Sequence, residues 1–284
     1  SSQSFLGVDN TSGALTPLVT SIAGIDFKSV DNLPVIDFNE VVLESKNYSA
    51  DATITHWDND PVAVPGAGNT FDLHEVGTPK YREASSWCST PYADFNDSTT
   101  ANYFKISSGS STDETLTEYK DFTMYMVLGL LPGNAVNSLY SDTATTGTSG
   151  PFPSVSAGSE FFFNFSNSTT DLNLGYSSKS AFPGAFNASL GYISDNSLHV
   201  FIIRRDSLND IFVYDKNGKI VASIDAPHLN EPGGSTDGQL VINRIGGALG
   251  FTKMKMVRFG LVEKDLGNDF CAGLGPTLYN RYKV

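Results

Sequence analysis

Two pairs of glutamates have a spacing that would place both side chains on one face of a strand, Glu40 with Glu44 and Glu114 with Glu118. Paired carboxylates hydrolyse glycosidic bonds when they lie about 5 Å apart for retention or somewhat further apart for inversion. Residues four positions apart on a strand are separated by about 13 Å, at about 3.3 Å per residue. This distance is too large for either mechanism, so neither pair predicts a glycosidase.

Other catalytic patterns are also missing from the sequence. It contains no Gly-x-Ser-x-Gly segment, so a serine hydrolase of that type is not predicted. His74-Glu75 lacks the second histidine of a zinc-binding helix. Gly246, Gly247 and Gly250 lead into another predicted strand rather than into a phosphate-binding helix. The sequence therefore predicts a protein that is not an enzyme.

The candidates for a metal site are Asp58 and Asp60, which stand in the run Asp58-Asn59-Asp60 before a Gly-rich loop. Calcium prefers such oxygen donors, and Asp94 to Asp97 forms a second run of the same kind. Neither run supplies the five or six spaced donors of a dedicated calcium site. Asx turns, in which the side chain accepts from nearby N–H groups, account for the same residues and are the favoured interpretation. No other cofactor is predicted.

Two tryptophans could stack against a sugar ring, Trp57 and Trp87. Trp57 ends a strand-like alternation and is predicted to face the core. Trp87 lies in the polar segment from Ser85 to Thr90, where sugar stacking and burial are both open. Trp87 is therefore the candidate ligand-binding residue.

The charge of the chain restricts its partners. The 284 residues carry a formal net charge of −13, and a phosphate backbone is met with Lys and Arg. Nucleic acid is therefore excluded as a partner, and anionic membrane surfaces are disfavoured. No apolar run approaches the roughly 20 residues that span a bilayer, so no membrane insertion is predicted.

The N-terminus has no basic or apolar signal region. Either the chain is not exported by that route or a signal was removed, and both alternatives stay open.

Cys88 and Cys271 allow one disulfide at most. A bridge would require the C-terminal tail to pack back against the loop-like segment around Cys88. Two buried free thiols are favoured, because the pattern differs from that of disulfide-dense secreted domains.

Apolar periodicity predicts a mainly β chain. The segment from Phe122 to Leu131 is apolar at both parities, which is typical of a strand covered on both faces. Two regions lack strand signals, one from residue 61 to 96 and a surface loop from 134 to 159. Further strands are predicted at 33–43, 52–57, 101–107, 160–165, 172–176, 189–193, 198–205, 210–215, 219–225, 239–245 and 254–262, with a helix at 270–282.

Two domain-level predictions follow from this pattern. Residues 1–30 hold sparse apolar positions and are predicted to form an N-terminal arm or a leading strand. Residues 31–284 are predicted to form one domain, since all-β folds of this size often do.

Lys216-Asn217-Gly218 separates two strands and predicts a type I′-like hairpin turn with positive φ at Gly218.

The order of elements from Leu198 to Val284 carries a family resemblance. Two strands flank the Asn-Gly turn, and Ile242-Asn-Arg-Ile-Gly-Gly247, a last strand and a terminal helix follow. This order, with His56-Trp-Asp-Asn-Asp60 and Asn102-Tyr-Phe-Lys-Ile106 in the first half, resembles the concanavalin A-like, or laminin-G-like, jelly roll. The resemblance implies an all-β, two-sheet sandwich with a short C-terminal helix. That scaffold carries lectins, glycosidases, adhesion modules and viral surface domains, so it implies a fold and not a function.

The favoured hypothesis is a non-catalytic protein of the virion surface, a bacteriophage capsid-decoration or tail receptor-binding module that binds glycan. Its predicted partners are other virion proteins, further copies of itself as a homo-oligomer docked through the N-terminal segment, and a cell-surface glycan. The alternative is an extracellular lectin or carbohydrate-binding module of a glycan-degrading system.

Overall fold

The computed structural model describes residues 6–8, 15–64, 71–95, 102–107, 121–131, 138–144, 160–165, 172–177, 195–208, 210–224, 238–242 and 253–284. Within these residues the chain is mostly β-strand, which confirms the predicted all-β class. The strands are β1 (Leu6–Val8), β2 (Leu15–Pro17), β3 (Ser21–Ile22), β4 (Ile25–Asp26), β5 (Ile36–Phe38), β6 (His56–Trp57), β7 (Asp72–Val76), β8 (Lys80–Arg82), β9 (Tyr92–Asp94), β10 (Tyr103–Ser107), β11 (Phe122–Leu130), β12 (Ser138–Ala144), β13 (Glu160–Phe165), β14 (Leu172–Ser177), β15 (His199–Arg205), β16 (Ile211–Tyr214), β17 (Ile220–Ile224), β18 (Gly238–Ile242) and β19 (Met254–Val262). The helices are α1 (Glu40–Ser45), α2 (Asn268–Tyr282) and a 3-10 turn at Val30–Asn32. No helix in this part of the chain is both long enough and apolar enough to cross a bilayer.

Two large antiparallel sheets organise the described strands. The seven-stranded sheet has the order β14-β13-β12-β18-β10-β7-β6. The eight-stranded sheet has the order β17-β16-β15-β11-β19-β9-β8, and β5 pairs with the end of β19. The longest strand pair, β11 with β19, lies at the centre of the eight-stranded sheet.

The main core lies between these two sheets because alternate residues of each strand point into it. The seven-stranded sheet contributes Trp57, Leu73 and Phe104, while the eight-stranded sheet contributes residues such as Met124 and Phe259. Trp57 is fully buried and its Nε1 donates to the Asn39 carbonyl at 3.0 Å. The prediction that Trp57 faces the core is confirmed.

A second core covers the other face of the eight-stranded sheet. Tyr125, Val127 and Val257 point away from the main core and pack with α2. Ile22, Ile25 and Phe27, in and just after the β3–β4 hairpin, join the same cluster. Strand β11 is thus buried on both faces, as its doubly apolar sequence predicts.

A buried ion pair connects β5 to β19, two strands that lie far apart in the sequence. Arg258 on β19 donates from Nε and Nη2 to the Asp37 carboxylate of β5, at 3.1 and 2.6 Å. Arg258 also donates to the carbonyls of Ile22 and Ala23, and Tyr125 donates to Asp37. Burial by itself lowers the pKa of Arg258, but the Asp37 carboxylate outweighs it and leaves that pKa well above its usual value.

A second carboxylate extends this network to the C-terminal helix. Glu40, the first residue of α1, is 3% exposed and accepts from the Tyr282 hydroxyl at 2.6 Å and from the Arg281 guanidinium. Arg258 donates to the Tyr282 hydroxyl at 3.2 Å. The hub formed by Asp37, Glu40, Arg258 and Tyr282 therefore holds β5, α1, β19 and α2 together.

The hairpin between β16 and β17 differs from the predicted turn. Gly218 has φ +75°, as predicted, but Asn217 does not have positive φ, which a type I′ turn requires. Gly218 N donates to the Asp215 carbonyl at 2.9 Å, and Asp215 N donates to the Lys219 carbonyl at 2.9 Å. The connection is therefore a three-residue loop, a type I turn followed by a left-handed glycine, and the type I′ prediction is wrong.

Both regions predicted to lack strands contain them. Residues 61–96 include β7, β8 and β9, and residues 134–159 include β12. The segment 33–43, predicted as one strand, divides into β5 and α1, because the Asn39 side chain accepts from the N–H groups of Val41 and Val42 and so begins a helix. Segments 189–193 and 246–250 and residues Asp97, Glu114 and Glu118 lie outside the described residues.

Candidate functional site

Part of the outer face of the eight-stranded sheet carries polar side chains at the margin of the second core, which includes Tyr92 and against which Trp87 packs. Gly129 of β11, Lys255 of β19, Asp94 of β9 and Lys80 of β8 are consecutive cross-strand neighbours in this region. They lie on the side opposite to Leu128 and Leu130, which belong to the main core. Trp87, the predicted ligand-binding residue, lies over this part of the sheet.

The Trp87 indole packs directly on the backbone of the central strand. A Cβ atom at Gly129 would overlap the ring atoms Cζ2 and Cε2 of Trp87 and would also lie 3.0 Å from the Ser197 carbonyl. The indole Nε1 donates to the Asn196 carbonyl at 2.8 Å. The glycine therefore allows the ring to lie against β11, while part of Trp87 stays accessible to solvent.

A lysine and a tyrosine complete the surroundings of this ring. Lys255 Nζ lies 4.7 Å from the centre of the Trp87 ring and donates to Asn196 Oδ1 at 3.1 Å. The Tyr92 ring lies 4.8 Å from Trp87 at an interplanar angle of 62°. Burial lowers the pKa of Lys255, and the carboxylate of Asp94 opposes that effect. We call Trp87, Tyr92, Asn196 and Lys255 the Trp87 patch.

The segment that carries Trp87 is fixed to the end of α2. Ser89 N donates to the Tyr282 carbonyl at 3.0 Å, and Ser89 Oγ donates to the Arg281 carbonyl at 3.1 Å. The hub in turn holds Tyr282 and Arg281 through Glu40. The ring is thus positioned before any ligand arrives, which lowers the entropic cost of binding.

The two predicted metal candidates lie apart from this patch, and protein donors occupy both carboxylates. Asp58 pairs with Lys46 and lies 3.6 Å from His56 Nε2. Asp60 Oδ1 accepts from Val62 N at 2.9 Å, in the geometry of an Asx turn, and Oδ2 accepts from Asn39 Nδ2 at 2.9 Å. In the described part of the chain no three His, Cys, Asp or Glu side chains form a group that could hold a metal ion.

The two cysteines are free and buried, which confirms the favoured prediction. Burial raises the pKa of the Cys88 thiol and raises that of Cys271 to about 12. Both side chains belong to the second core, and Cys271 is itself a residue of α2.

Sequence reasoning singled out Trp87 as a candidate but not its neighbours Tyr92, Asn196 and Lys255. One signal was available, because an isolated glycine inside an apolar strand, such as Gly129, often marks a close approach by another group. Which group approaches Gly129 depends on the pairing of β11 with β19 and on the loop before β15. Neither of these can be predicted from the residues next to Gly129 in the sequence.

No protein-family model and no curated protein sequence matches the chain. Its fold is similar to that of the binding domain of Paraclostridial Mosquitocidal Protein 1, with a TM-score of 0.55, 12% identity, and 89% of this chain and 54% of that chain covered. It is also similar to the receptor binding domain of botulinum neurotoxin D, with a TM-score of 0.52, 12% identity, and coverage of 87% and 53%.

A third solved structure with this similarity is the binding domain of botulinum neurotoxin DC in complex with SialylT, with a TM-score of 0.53, 10% identity, and coverage of 88% and 52%. This chain therefore spans about half the length of the solved structures it matches. At this level of identity the likeness shows a shared all-β fold.

Proposed function

We propose that this protein is a non-catalytic receptor-binding module that holds a cell-surface glycan at the Trp87 patch. The observation that carries this proposal is the ring of Trp87, fixed on Gly129 with the Lys255 amine 4.7 Å from its centre. An aromatic face binds the apolar face of a sugar ring, and the amine and the Asn196 amide provide hydrogen bonds to hydroxyl or carboxylate oxygens.

The fold neighbours support a binding role over a catalytic one. The solved structures of similar fold are binding domains of toxins, and their complexes contain SialylT in one case and rat synaptotagmin II in another. The absence of a usable carboxylate pair or nucleophile motif in the sequence agrees with this role.

For the finer fold we propose the concanavalin A-like jelly-roll sandwich. Two sheets that share one core, the hairpin at Gly218 and the terminal helix α2 support it.

For location we propose two alternatives. The protein lies either on the surface of a virion, as a capsid-decoration or tail protein, or outside the cell, as a lectin or toxin module. The fold shared with toxin binding domains favours the extracellular alternative. Partners on a virion and homo-oligomerisation belong to the first alternative.

A glycan array followed by titration of the best ligand tests the proposed function. We expect Trp87→Ala and Lys255→Ala each to weaken binding at least tenfold, which corresponds to about 1.4 kcal/mol. Calorimetry measures binding by every variant, and tryptophan fluorescence is a second readout for the original protein and for Lys255→Ala, because Trp57 is fully buried and a change on binding would report Trp87.

The matched control is Lys216→Ala. Lys216 Nζ also lies 4.7 Å from the centre of an aromatic ring, that of Tyr279 on α2, but outside the patch. This variant should bind like the original protein. Equal binding by the original protein, Trp87→Ala and Lys255→Ala, or no glycan bound at all, would contradict the proposal.

A further inference from the structure

The loop between β16 and β17 contains the one Asn-Gly pair of the sequence, Asn217-Gly218. In such a pair the backbone nitrogen of the glycine can attack the side-chain carbonyl carbon of the asparagine, because no Cβ hinders its approach. The attack closes a succinimide ring and expels the side-chain amide as ammonia. Water then opens the ring and leaves aspartate or isoaspartate at position 217. Water is the only co-reactant, and Asn217 is exposed to it.

The turn keeps the reacting groups of this pair apart. Gly218 N donates to the Asp215 carbonyl at 2.9 Å, so the hydrogen that the attack must remove is held in a hydrogen bond. The Asp215 carboxylate fixes Asn217 as well, because Oδ1 accepts from Asn217 N at 2.8 Å and Oδ2 accepts from Asn217 Nδ2 at 3.2 Å. Succinimide formation therefore requires the turn to open.

Helix α2 lies against this turn at the reacting nitrogen. Pro276, inside α2, has no N–H and so cannot donate to the Ala272 carbonyl four residues earlier. That carbonyl faces the loop instead, and a Cβ at Gly218 would overlap it. A Cβ at Gly275 would overlap the Asp215 carbonyl and lie 3.1 Å from Gly218 N. The turn therefore cannot open unless α2 moves away from it.

We propose that Asn217 is a deamidation site that α2 protects, so that the side chain converts only when the helix moves off the hairpin. The proposal rests on the packing of the loop against α2 and is independent of the Trp87 patch.

The product cannot restore the original loop. Aspartate at position 217 lacks the Nδ2 donor and places a second carboxylate next to Asp215 Oδ2. Isoaspartate also adds a methylene group to the backbone, which the hydrogen bonds of this short turn do not accommodate. Each conversion therefore weakens the docking of α2, and it adds one negative charge to a chain that already carries −13.

Incubation of the full chain in mildly alkaline buffer tests the proposal, with conversion at position 217 followed by peptide mass spectrometry. The same chain unfolded in urea gives the rate without protection. We expect the folded chain to convert more slowly by a factor of at least about ten, which corresponds to a free energy of opening of about 1.4 kcal/mol.

Two glycines of α2 supply a variant and its matched control. Gly275→Ala introduces a Cβ against the Asp215 carbonyl and should bring conversion closer to the rate of the unfolded chain. Gly273→Ala, with nothing within 4 Å of its Cβ, should convert no faster than the original protein.

A second measurement avoids any folding defect of Gly275→Ala. In the original protein, at urea concentrations below the unfolding transition, hydrogen exchange at Gly218 N and conversion of Asn217 should rise in parallel. Both rates follow the population of the open form when opening and closing are fast. Asn217→Asp supplies one product directly and should lower the melting temperature.

Each result decides one part of the proposal. The absence of conversion in the unfolded chain would show that Asn217 is not a deamidation site. Equal rates in the folded and unfolded chains, or equal rates in Gly275→Ala and Gly273→Ala, would overturn protection by α2. An unchanged melting temperature in Asn217→Asp would overturn the effect of conversion on helix docking. None of these results bears on glycan binding at the Trp87 patch.

Discussion

A side chain at position 218 would meet two separate obstacles. Gly218 has φ +75°, a conformation that costs other residues about 1–3 kcal/mol, and a Cβ there would overlap the Ala272 carbonyl of α2. We expect Gly218→Val to lower the free energy of unfolding by more than the conformational cost alone. Thermal and urea unfolding, monitored by circular dichroism, measure this loss.

Gly218→Ala tests the contact with α2 with a smaller side chain. A Cβ alone would already lie 2.0 Å from the Ala272 carbonyl oxygen, so Gly218→Ala should also lose more than the conformational cost of about 1–3 kcal/mol. A loss within that range would mean that α2 does not approach the hairpin as described.

The carboxylate of Asp60 stabilises a turn, and we expect no metal dependence from it. Both of its oxygens accept from protein donors, Val62 N and Asn39 Nδ2. Asp60→Asn would turn one acceptor into a donor facing Asn39, so we expect a loss of about 1–3 kcal/mol in the free energy of unfolding. That loss should be the same with calcium and with EDTA, and EDTA should not change the melting temperature of the original protein. A fall of several degrees that calcium reverses would restore Asp58 and Asp60 as metal ligands.

At the scale of elements, α2 packs closely on the β16–β17 hairpin where Gly275 of the helix meets Gly218 of the loop. A Cβ at Gly275 would overlap the Asp215 carbonyl and lie 3.1 Å from Gly218 N, whereas Gly273, on the same helix, has nothing within 4 Å. Alanine is favoured over glycine in a helix by about 1 kcal/mol. Gly273→Ala should therefore raise the melting temperature, and Gly275→Ala should lower it. A higher melting temperature in both variants would contradict the close packing of α2 on the hairpin.

The strands with strong apolar patterns are those that sequence could predict. Residues 254–262 and 160–165 were predicted with the bounds that the structure gives, because most residues of each segment are apolar and turn signals bound them. Strands β8 and β9, which were not predicted, have only three residues each. Such short segments form because a neighbouring strand supplies their hydrogen bonds, and nothing within them signals this.

The candidate site shows the same division between local and long-range information. Trp87 could be singled out by its residue type and polar surroundings. Its contacts with Lys255 and Asn196 join residues more than a hundred positions apart, as in the Trp87–Asn196 hydrogen bond with a separation of 109. The contact between the rings of His56 and His74 similarly depends on the register of β6 on β7, which places the two residues opposite each other.

At the scale of the whole molecule, the N-terminal segment separates into two parts. Leu18 and Val19 are 44% and 56% exposed, whereas Ile22, Ile25 and Phe27 are buried in the second core. The division into an arm of residues 1–30 and a domain of 31–284 stays a prediction, and two truncations test it. Deletion of residues 1–19 should keep the melting temperature and abolish self-association, measured by light scattering, if this segment is a docking arm.

Deletion of residues 1–28 is the matched comparison. It removes three buried side chains, each contributing about 1.5–3 kcal/mol, and the two carbonyls that accept from Arg258. We expect this chain to unfold or to lose most of its stability. Unfolding after the shorter deletion would show that residues 1–19 belong to the domain, and unchanged self-association would exclude docking through them.

The hub of Asp37, Glu40, Arg258 and Tyr282 also determines the order in which parts of the chain can fold during translation. The bonds between Asp37 and Arg258 join residues 221 positions apart, and the bond between Glu40 and Tyr282 spans 242. A ribosome at about 5–20 residues per second exposes the two carboxylates many seconds before their partners emerge. Until then, burying either one would leave a charge without a partner, which is strongly unfavourable. Strand β5 must therefore remain hydrated until β19 emerges, and α1 until α2 emerges, so the arrival of these two late elements allows β5 and α1 to close.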